Sequence, residues 1–170
     1  MFSEIKIAIF SDTHDQIINL KKALNFCQKE NIKEIIHCGD LTRIKTLIEA
    51  WPNQLTAKIH FVYGNADIKE DFISKGKIFP PLKIHGQIGT LIRENKKIAF
   101  THYPEKAEEL SQLQEYDYVF YGHTHKPWEK QINRTKMANP GNLANISYQP
   151  SFAVLDLEKN NLSLKILNRF

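Results

Sequence analysis

Five short apolar segments of this chain each run into residues able to hold a divalent ion. The first reads KIAIFSDTHD over residues 6–15, where Ile7, Ala8, Ile9 and Phe10 give way to Ser11-Asp12-Thr13-His14. Side chains alternate along extended backbone, so Asp12 and His14 are expected on one face, a carboxylate oxygen beside an imidazole nitrogen. Taken singly the pair says little, because an Asp or Thr ahead of a helix commonly caps it.

The pattern recurs. Residues 33–38 lead into Gly39-Asp40, residues 58–63 into Gly64-Asn65-Ala66-Asp67, residues 97–100 into Thr101-His102, and residues 117–121 into Gly122-His123-Thr124-His125. His123 and His125 repeat the alternate spacing of Asp12 and His14. In open α/β sheets ligands collect beyond the carboxyl ends of the strands, so these clusters are expected to meet in one crevice. Packing accounts for a single histidine. It does not account for Asp12, Asp40 and Asn65 arriving with His14, His102, His123 and His125 at five strand ends. His37, His60 and His85 lie inside apolar or turn segments and read as structural or surface histidines.

Parallel strands would align these ends. The run from Ile5 to Phe10 is apolar on both faces, as a strand covered on both sides must be. Ile17, Ile18, Leu20, Leu24 and Phe26 then recur at helical spacing up to about Glu30, with Lys21, Lys22 and Lys29 on the wet side, and Asn31 ends the helix. A second short helix is expected over 42–51, stopped by Pro52. Strand, helix, strand, helix, strand across residues 5–63 is the order of parallel βαβ units. From Gly76 the period changes. Residues 82–102 read as two or three strands with turns at 86–89 and 94–96, and 105–113 as a helix started by Pro104. Short strands are expected at 128–133, 136–138, 152–157 and 162–167, the last two joined by a tight turn at 158–161. If these last strands form a second sheet, the loop Asn139-Pro140-Gly141-Asn142 returns to the clusters. The expected class is α/β (α+β by some schemes), two sheets packed face to face with helices outside.

The 170 residues fit one domain spanning 1–170, since a domain takes roughly 100–200 residues. A net charge of +4 suits an anionic substrate but is too small and dispersed to argue for nucleic acid. No apolar run approaches the roughly 20 residues that cross a bilayer, and residues 1–10 lack a signal-peptide pattern, so a cytoplasmic location is expected. Cys27 and Cys38 have neither metal-site spacing nor a disulfide framework and read as buried apolar residues.

As an ordered set, Asp12-x-His14, Gly39-Asp40, Gly64-Asn65-x-Asp67, His102 and Gly122-His123-x-His125 resemble the motifs of the calcineurin-like metallophosphoesterases, over nearly the whole chain. The short length and the Asn139-Pro140-Gly141 loop are similar to the small bacterial and archaeal phosphodiesterases of that superfamily. The resemblance implies a four-layer αββα sandwich of two mixed β-sheets flanked by helices, with two divalent ions at the strand ends. It implies that Asp12, His14, Asp40 and His125 hold one ion and that Asp40, Asn65, His102 and His123 hold the other, Asp40 bridging. Two ions about 4 Å apart activate a water and clamp phosphoryl oxygens. A catalytic share is implied for Asn65, Asp67 and His123. Mixed Asp, Asn and His ligands favour Mn²⁺, Fe²⁺, Ni²⁺, Co²⁺ or Zn²⁺ over Ca²⁺, with manganese the expected ion.

The implied substrate is a small-molecule phosphodiester. Phosphomonoesterase and nuclease are the rival activities of the superfamily, and a non-catalytic scaffold resembling the retromer subunit of the vacuolar sorting machinery is the rival outside enzymes. A scaffold would show missing ligands, nucleases of the superfamily are usually longer with an added DNA-binding domain, and a monoesterase is expected to gather extra cations, which the motifs themselves do not supply. The small size and exposed strands are compatible with a homo-oligomer.

Two positions depart from the superfamily pattern. Larger members carry, after Gly-Asn, a histidine thought to protonate the leaving group; Ala66 stands there, as in the small branch, which implies modest activity favouring good leaving groups. The usual glycine after the fourth-cluster histidine is Tyr103, which either perturbs His102 or lines the substrate cleft. Asp67 is expected to orient a metal-bound histidine or to cap a helix beginning near Ile68. Gly39, Gly64 and Gly122 are expected to let the backbone turn sharply. Specificity is expected from residues 68–80, 103–106 and 142–149.

Overall fold

The computed structural model describes residues 5–169. Strand β1 (Lys6–Phe10) lies inside a sheet because it has no wet face. Ile7 and Ile9 join the apolar layer between two sheets, while Ala8 and Phe10 join the layer beneath the helices. There follow α1 (Ile17–Lys29), β2 (Glu34–His37), α2 (Ile44–Ala50), β3 (Lys58–Phe61), α3 (Lys69–Lys75) and β4 (Leu82–Ile84). The four strands pair in parallel in that order, with a helical segment returning the chain each time.

Helix α1 buries Leu20, Ala23, Leu24 and Cys27 against this sheet. It ends as its sequence suggests. Asn31 takes left-handed backbone at φ 54°, the Ile32 amide donates to the Cys27 carbonyl at 2.8 Å, and the Asn31 amide donates to that of Gln28 at 3.1 Å. Phe10 meets Phe152 edge to face at 5.3 Å, and Phe26 of α1 meets the same ring at 5.3 Å, which locks helix to sheet. Truncating such a buried ring costs about 3–5 kcal/mol.

The chain continues with β5 (Ile88–Arg93), β6 (Lys96–Thr101), α4 (Pro104–Gln112), β7 (Tyr118–Phe120), β8 (Trp128–Ile132), β9 (Thr135–Asn139), β10 (Ser151–Asp156) and β11 (Asn161–Ile166). A five-stranded sheet runs β5-β6-β7-β9-β8, with β6, β7 and β9 mutually parallel. Helix α4 covers its outer face, where Ala107 and Leu110 pack on Ala99, Val119 and Met137. Helices, two mixed sheets and a helix make the four-layer sandwich.

The last strands divide between the sheets, against the expectation that they form the second one together. β8 and β9 do join it. β10 and β11 instead extend the first sheet, which runs β11-β10-β1-β2-β3-β4, with β10 antiparallel to β1. Without β10, β1 would be a naked edge, the amides and carbonyls on its side away from β2 unpaired beside the core. Among the described residues no helix is long and apolar enough to cross a membrane.

Candidate metal centre

All seven candidate ligands arrive at one rim, where the parallel strands of both sheets end. His14 Nε2 and His125 Nε2 lie 3.2 Å apart, with Asp12 Oδ1 3.3 Å from the His125 nitrogen and 3.8 Å from that of His14. Beside them, Asn65 Oδ1 lies 3.2 Å from His102 Nε2 and 3.0 Å from His123 Nδ1. Asp40 stands between the groups: its Oδ2 is 3.7 Å from His14 Nε2 and 3.4 Å from His102 Nε2. By ligand-atom proximity Asp12, His14 and His125 form one set and Asp12, Asp40 and His102 another.

The backbone that delivers these groups is not extended. Asp12, His14, Asp40, His123 and His125 have φ of 51°, 44°, 57°, 69° and 59°. Asp12 and His14 therefore converge through a left-handed turn rather than through strand alternation. Such backbone costs roughly 1–2 kcal/mol per non-glycine residue and persists where its surroundings over-determine it. The surroundings here are explicit. The Asp12, Thr13 and Asp15 amides donate to the carbonyls of Gly39, Asp40 and Leu41 at 3.0, 2.8 and 3.2 Å, so the first two ligand loops zip together.

Each anionic ligand is held by donors that leave one oxygen for the centre. Asp12 Oδ2 accepts from Ser11 Oγ at 2.6 Å and from the His123 amide at 3.0 Å, whereas Asp12 Oδ1, buried, has no hydrogen-bond partner. Asp40 Oδ1 accepts from the Ala66 amide at 2.7 Å, which turns Oδ2 to the histidines. His102 donates from Nδ1 to the Cys38 carbonyl at 2.8 Å, leaving Nε2 as a lone pair facing Asp40. Burial would lower the His102 pKa, but the Asp40 carboxylate outweighs it and raises it; the neighbouring Asp12 carboxylate raises that of His125.

A divalent ion fits this donor set. An orphaned buried carboxylate oxygen and two imidazole nitrogens point their lone pairs at common space, and one proton between the rings cannot satisfy all three. Borderline divalent ions take such mixed oxygen and nitrogen ligands.

Gly39 has φ 93° and does turn the chain sharply, as its sequence position suggests. Gly64 and Gly122 matter for another reason, close approach. A Cβ at 64 would stand 2.1 Å from Asp40 Oδ1, and one at 122 would stand 1.9 Å from Ser11 Oγ.

Asp67 does neither of the things expected of it. Its carboxylate accepts the amides of Gly64 at 2.7 Å, Asp40 at 2.9 Å and Thr42 at 2.8 Å, while the helix start at Ile68 has no side-chain cap. Burial, added to by the nearby Asp40 charge, raises its pKa in spite of these three donors. Asp67 thus pins two ligand loops to each other, and among the described residues its carboxylate makes no hydrogen bond to a histidine ring.

Sequence reasoning passed over other residues that build the rim. His37 is fully buried, accepts the Gly39 amide on Nδ1 at 3.2 Å and donates Nε2 to Thr13 Oγ1 at 2.9 Å; burial holds its pKa at about 4, so it is a neutral strut between two ligand loops. Asn139 donates to the Gly122 carbonyl at 2.8 Å, and Asn142 donates to that of His125 at 3.1 Å. The Leu143 and Ala144 amides reach the Asp12 carbonyl at 3.1 and 3.0 Å. The signal for this loop was its pair of asparagines around Pro140-Gly141, and for His37 a polar residue in a strand with no wet face. Tyr103 is 37 % exposed, its ring edge-on to His102 at 5.0 Å and tilted against His123 at 5.3 Å, so it borders the centre without displacing His102.

Comparison with known proteins points to one family. Residues 5–160 match the calcineurin-like phosphoesterase superfamily domain. The chain is 30 % identical over 159 residues to a phosphodiesterase of the archaeon Methanocaldococcus jannaschii, covering 91 % of this chain and 95 % of that one. The solved structure of an archaeal phosphodiesterase superposes with a TM-score of 0.84 at 29 % identity, over 95 % of this chain and 99 % of that chain. A phosphoesterase of E. coli shares the fold, with a TM-score of 0.68 at 19 % identity over 96 % of this chain and 100 % of that one.

Proposed function

The chain belongs to the calcineurin-like phosphoesterase superfamily, and from that premise we propose that it is a phosphodiesterase working with two divalent transition-metal ions. Asp12, His14, Asp40 and His125 hold one ion, and Asp40, Asn65, His102 and His123 hold the other. One observation carries this reading: Asp40 Oδ2 lies 3.7 Å from a histidine of the first group and 3.4 Å from one of the second, the position of a shared ligand. Manganese leads the candidate ions, since Asp12, Asp40 and Asn65 add oxygen donors to the four imidazoles. When bound, the ions lower the pKa of a water and neutralise charge on the phosphoryl group.

The protein's own share is orientation and exclusion. Asp12 and Asp40 are fixed through their second oxygens, so little reorganisation is needed as charge builds on phosphorus. Asn65 and His123, both exposed, are the ligands nearest the substrate side, and Tyr103 walls it beside them. Ala66 offers no proton, so a leaving group stable as an anion departs most readily. The substrate is a small phosphodiester. A cytoplasmic location belongs to this reading and suits the buried free thiols of Cys27 and Cys38.

The test is metal content, together with hydrolysis of bis-p-nitrophenyl phosphate after adding Mn²⁺ or Ni²⁺ to stripped protein, with Asp40→Asn alongside. Two ions per chain, and activity lost in the variant, are expected. One ion or none, with no turnover under any metal, would defeat the proposal.

A further inference from the structure

The layer between the sheets changes character at the opposite end of the strands from Asp40 and Asn65. Ile36 of β2 and Val62 beyond β3 belong to its apolar core, and strand alternation puts Glu34, Lys58 and His60 on the same face. Lys83 of β4 sits in register beside His60. From the other sheet, Arg93 grips Glu34, donating Nε to Oε2 at 2.6 Å and its terminal nitrogen to Oε1. His60, 3 % exposed, donates Nε2 to Glu34 at 3.4 Å and accepts His85 Nε2 on Nδ1 at 2.9 Å. Both oxygens of the one carboxylate here are therefore engaged.

Above this network opens a cleft of about 500 Å³, lined by Lys58, Lys83, Arg93 and His60, with Pro80 and Pro81 as an apolar wall. That is the size of a small-ligand pocket. Among the described residues no carboxylate lines it, and no ion pair within 4 Å involves Lys58 or Lys83. Glu34 stands in register beside Lys58, but its oxygens are engaged by Arg93 and His60, which leaves the two ammonium groups above this floor available to a dianion. None of the lining residues is a candidate metal ligand.

We propose that this cleft is a second ligand site, which takes a small organic phosphomonoester. The phosphoryl dianion sits between Lys58 and Lys83, one charge facing each, and the carbon part lies on Pro80 and Pro81. Arg93, paired with Glu34, closes the floor of the cleft. This site stands independently of the activity proposed for the metal centre.

The experiment is an NMR titration of the Zn²⁺-loaded full chain with adenosine 5′-monophosphate, reading the ring resonances of His60 and His85. Adenosine is the uncharged control, and Lys58→Gln/Lys83→Gln is the comparison protein. Saturable shifts with the monophosphate are expected, absent with adenosine and weakened at least about tenfold in the double variant. The single variants Lys58→Gln and Lys83→Gln, each weakening binding in part, serve should the double variant fail to fold. No shift at millimolar monophosphate, equal shifts with adenosine, or unchanged affinity in the variants would overturn the proposal. Ligand held only at the metal centre would leave His60 and His85 unmoved, and so counts among the overturning results.

Discussion

Asp67 grips Asp40 by its backbone, taking the Asp40 amide on Oδ2 at 2.9 Å while the same oxygen takes the amide of Gly64 at 2.7 Å. The other oxygen accepts Thr42 at 2.8 Å, so a single carboxylate joins the loops that carry Asp40 and Asn65. Asp67→Ala would leave three amides without a partner. Stability should fall by about 2 kcal/mol or more, read from the midpoint of urea unfolding. Metal affinity should fall about 10-fold or more in calorimetry, because the ligand loops lose their tie. An unchanged midpoint would mean that water replaces the carboxylate.

Gly122→Ala should cripple the centre although it adds only a methyl group. That carbon would lie 1.9 Å from Ser11 Oγ and 2.7 Å from Asp12 Oδ2, so the Asp12 carboxylate must move. We expect loss of at least one bound ion by elemental analysis, with the protein still folded by circular dichroism. Two ions retained in the variant would show that Ser11 and Asp12 adjust without cost.

Ala66→His should raise turnover on diesters with poor leaving groups by up to about 10²-fold, the lower end of what a positioned general acid contributes. The Ala66 amide already donates to Asp40 Oδ1 at 2.7 Å, and the substitution keeps that bond. Substrates with good leaving groups should gain little. Equal change on both classes would mean that no proton transfer was missing.

Acid should destabilise the fold through the polar floor between the sheets as well as through the centre. Burial, helped by neighbouring His60 and Lys83, lowers the His85 pKa from 6.5 to about 4, so the unfolded chain binds its proton first. Stability from this group is complete above 6.5 and is lost as pH falls towards 4. Burial would raise the Glu34 carboxyl, but His60 and Arg93 outweigh it and hold it at about 2, so its contribution is present above 4.5 and fades as pH falls through 2. His85→Gln should therefore flatten the loss of unfolding free energy between about pH 6.5 and pH 4, and leave the deeper acid limb. Parallel pH profiles for the two proteins would refute this assignment.

The chemistry of the rim was legible in the chain itself. Asp12, His14, Asp40, Asn65, His102, His123 and His125 each follow an apolar run directly, and both a side chain's donor atoms and its distance from a strand end are local properties. The βαβ order up to residue 63, the stop at Asn31 and the helix start at Pro104 were legible for the same reason. What tertiary structure alone decided is non-local pairing. β10 lies against β1 across more than half the chain because β1 needs two partners, and no local pattern names which strand supplies the second. The left-handed turns at the ligands, the three amides on Asp67 and the tie from Asn142 to the His125 carbonyl exist only once distant loops close on one another. So does the floor joining Glu34, His60, His85 and Arg93, four polar residues from both sheets that satisfy one another where the apolar core ends. Hydrogen-bond partners for buried polar groups are chosen by the folded surroundings, and those surroundings are assembled from residues far apart in sequence.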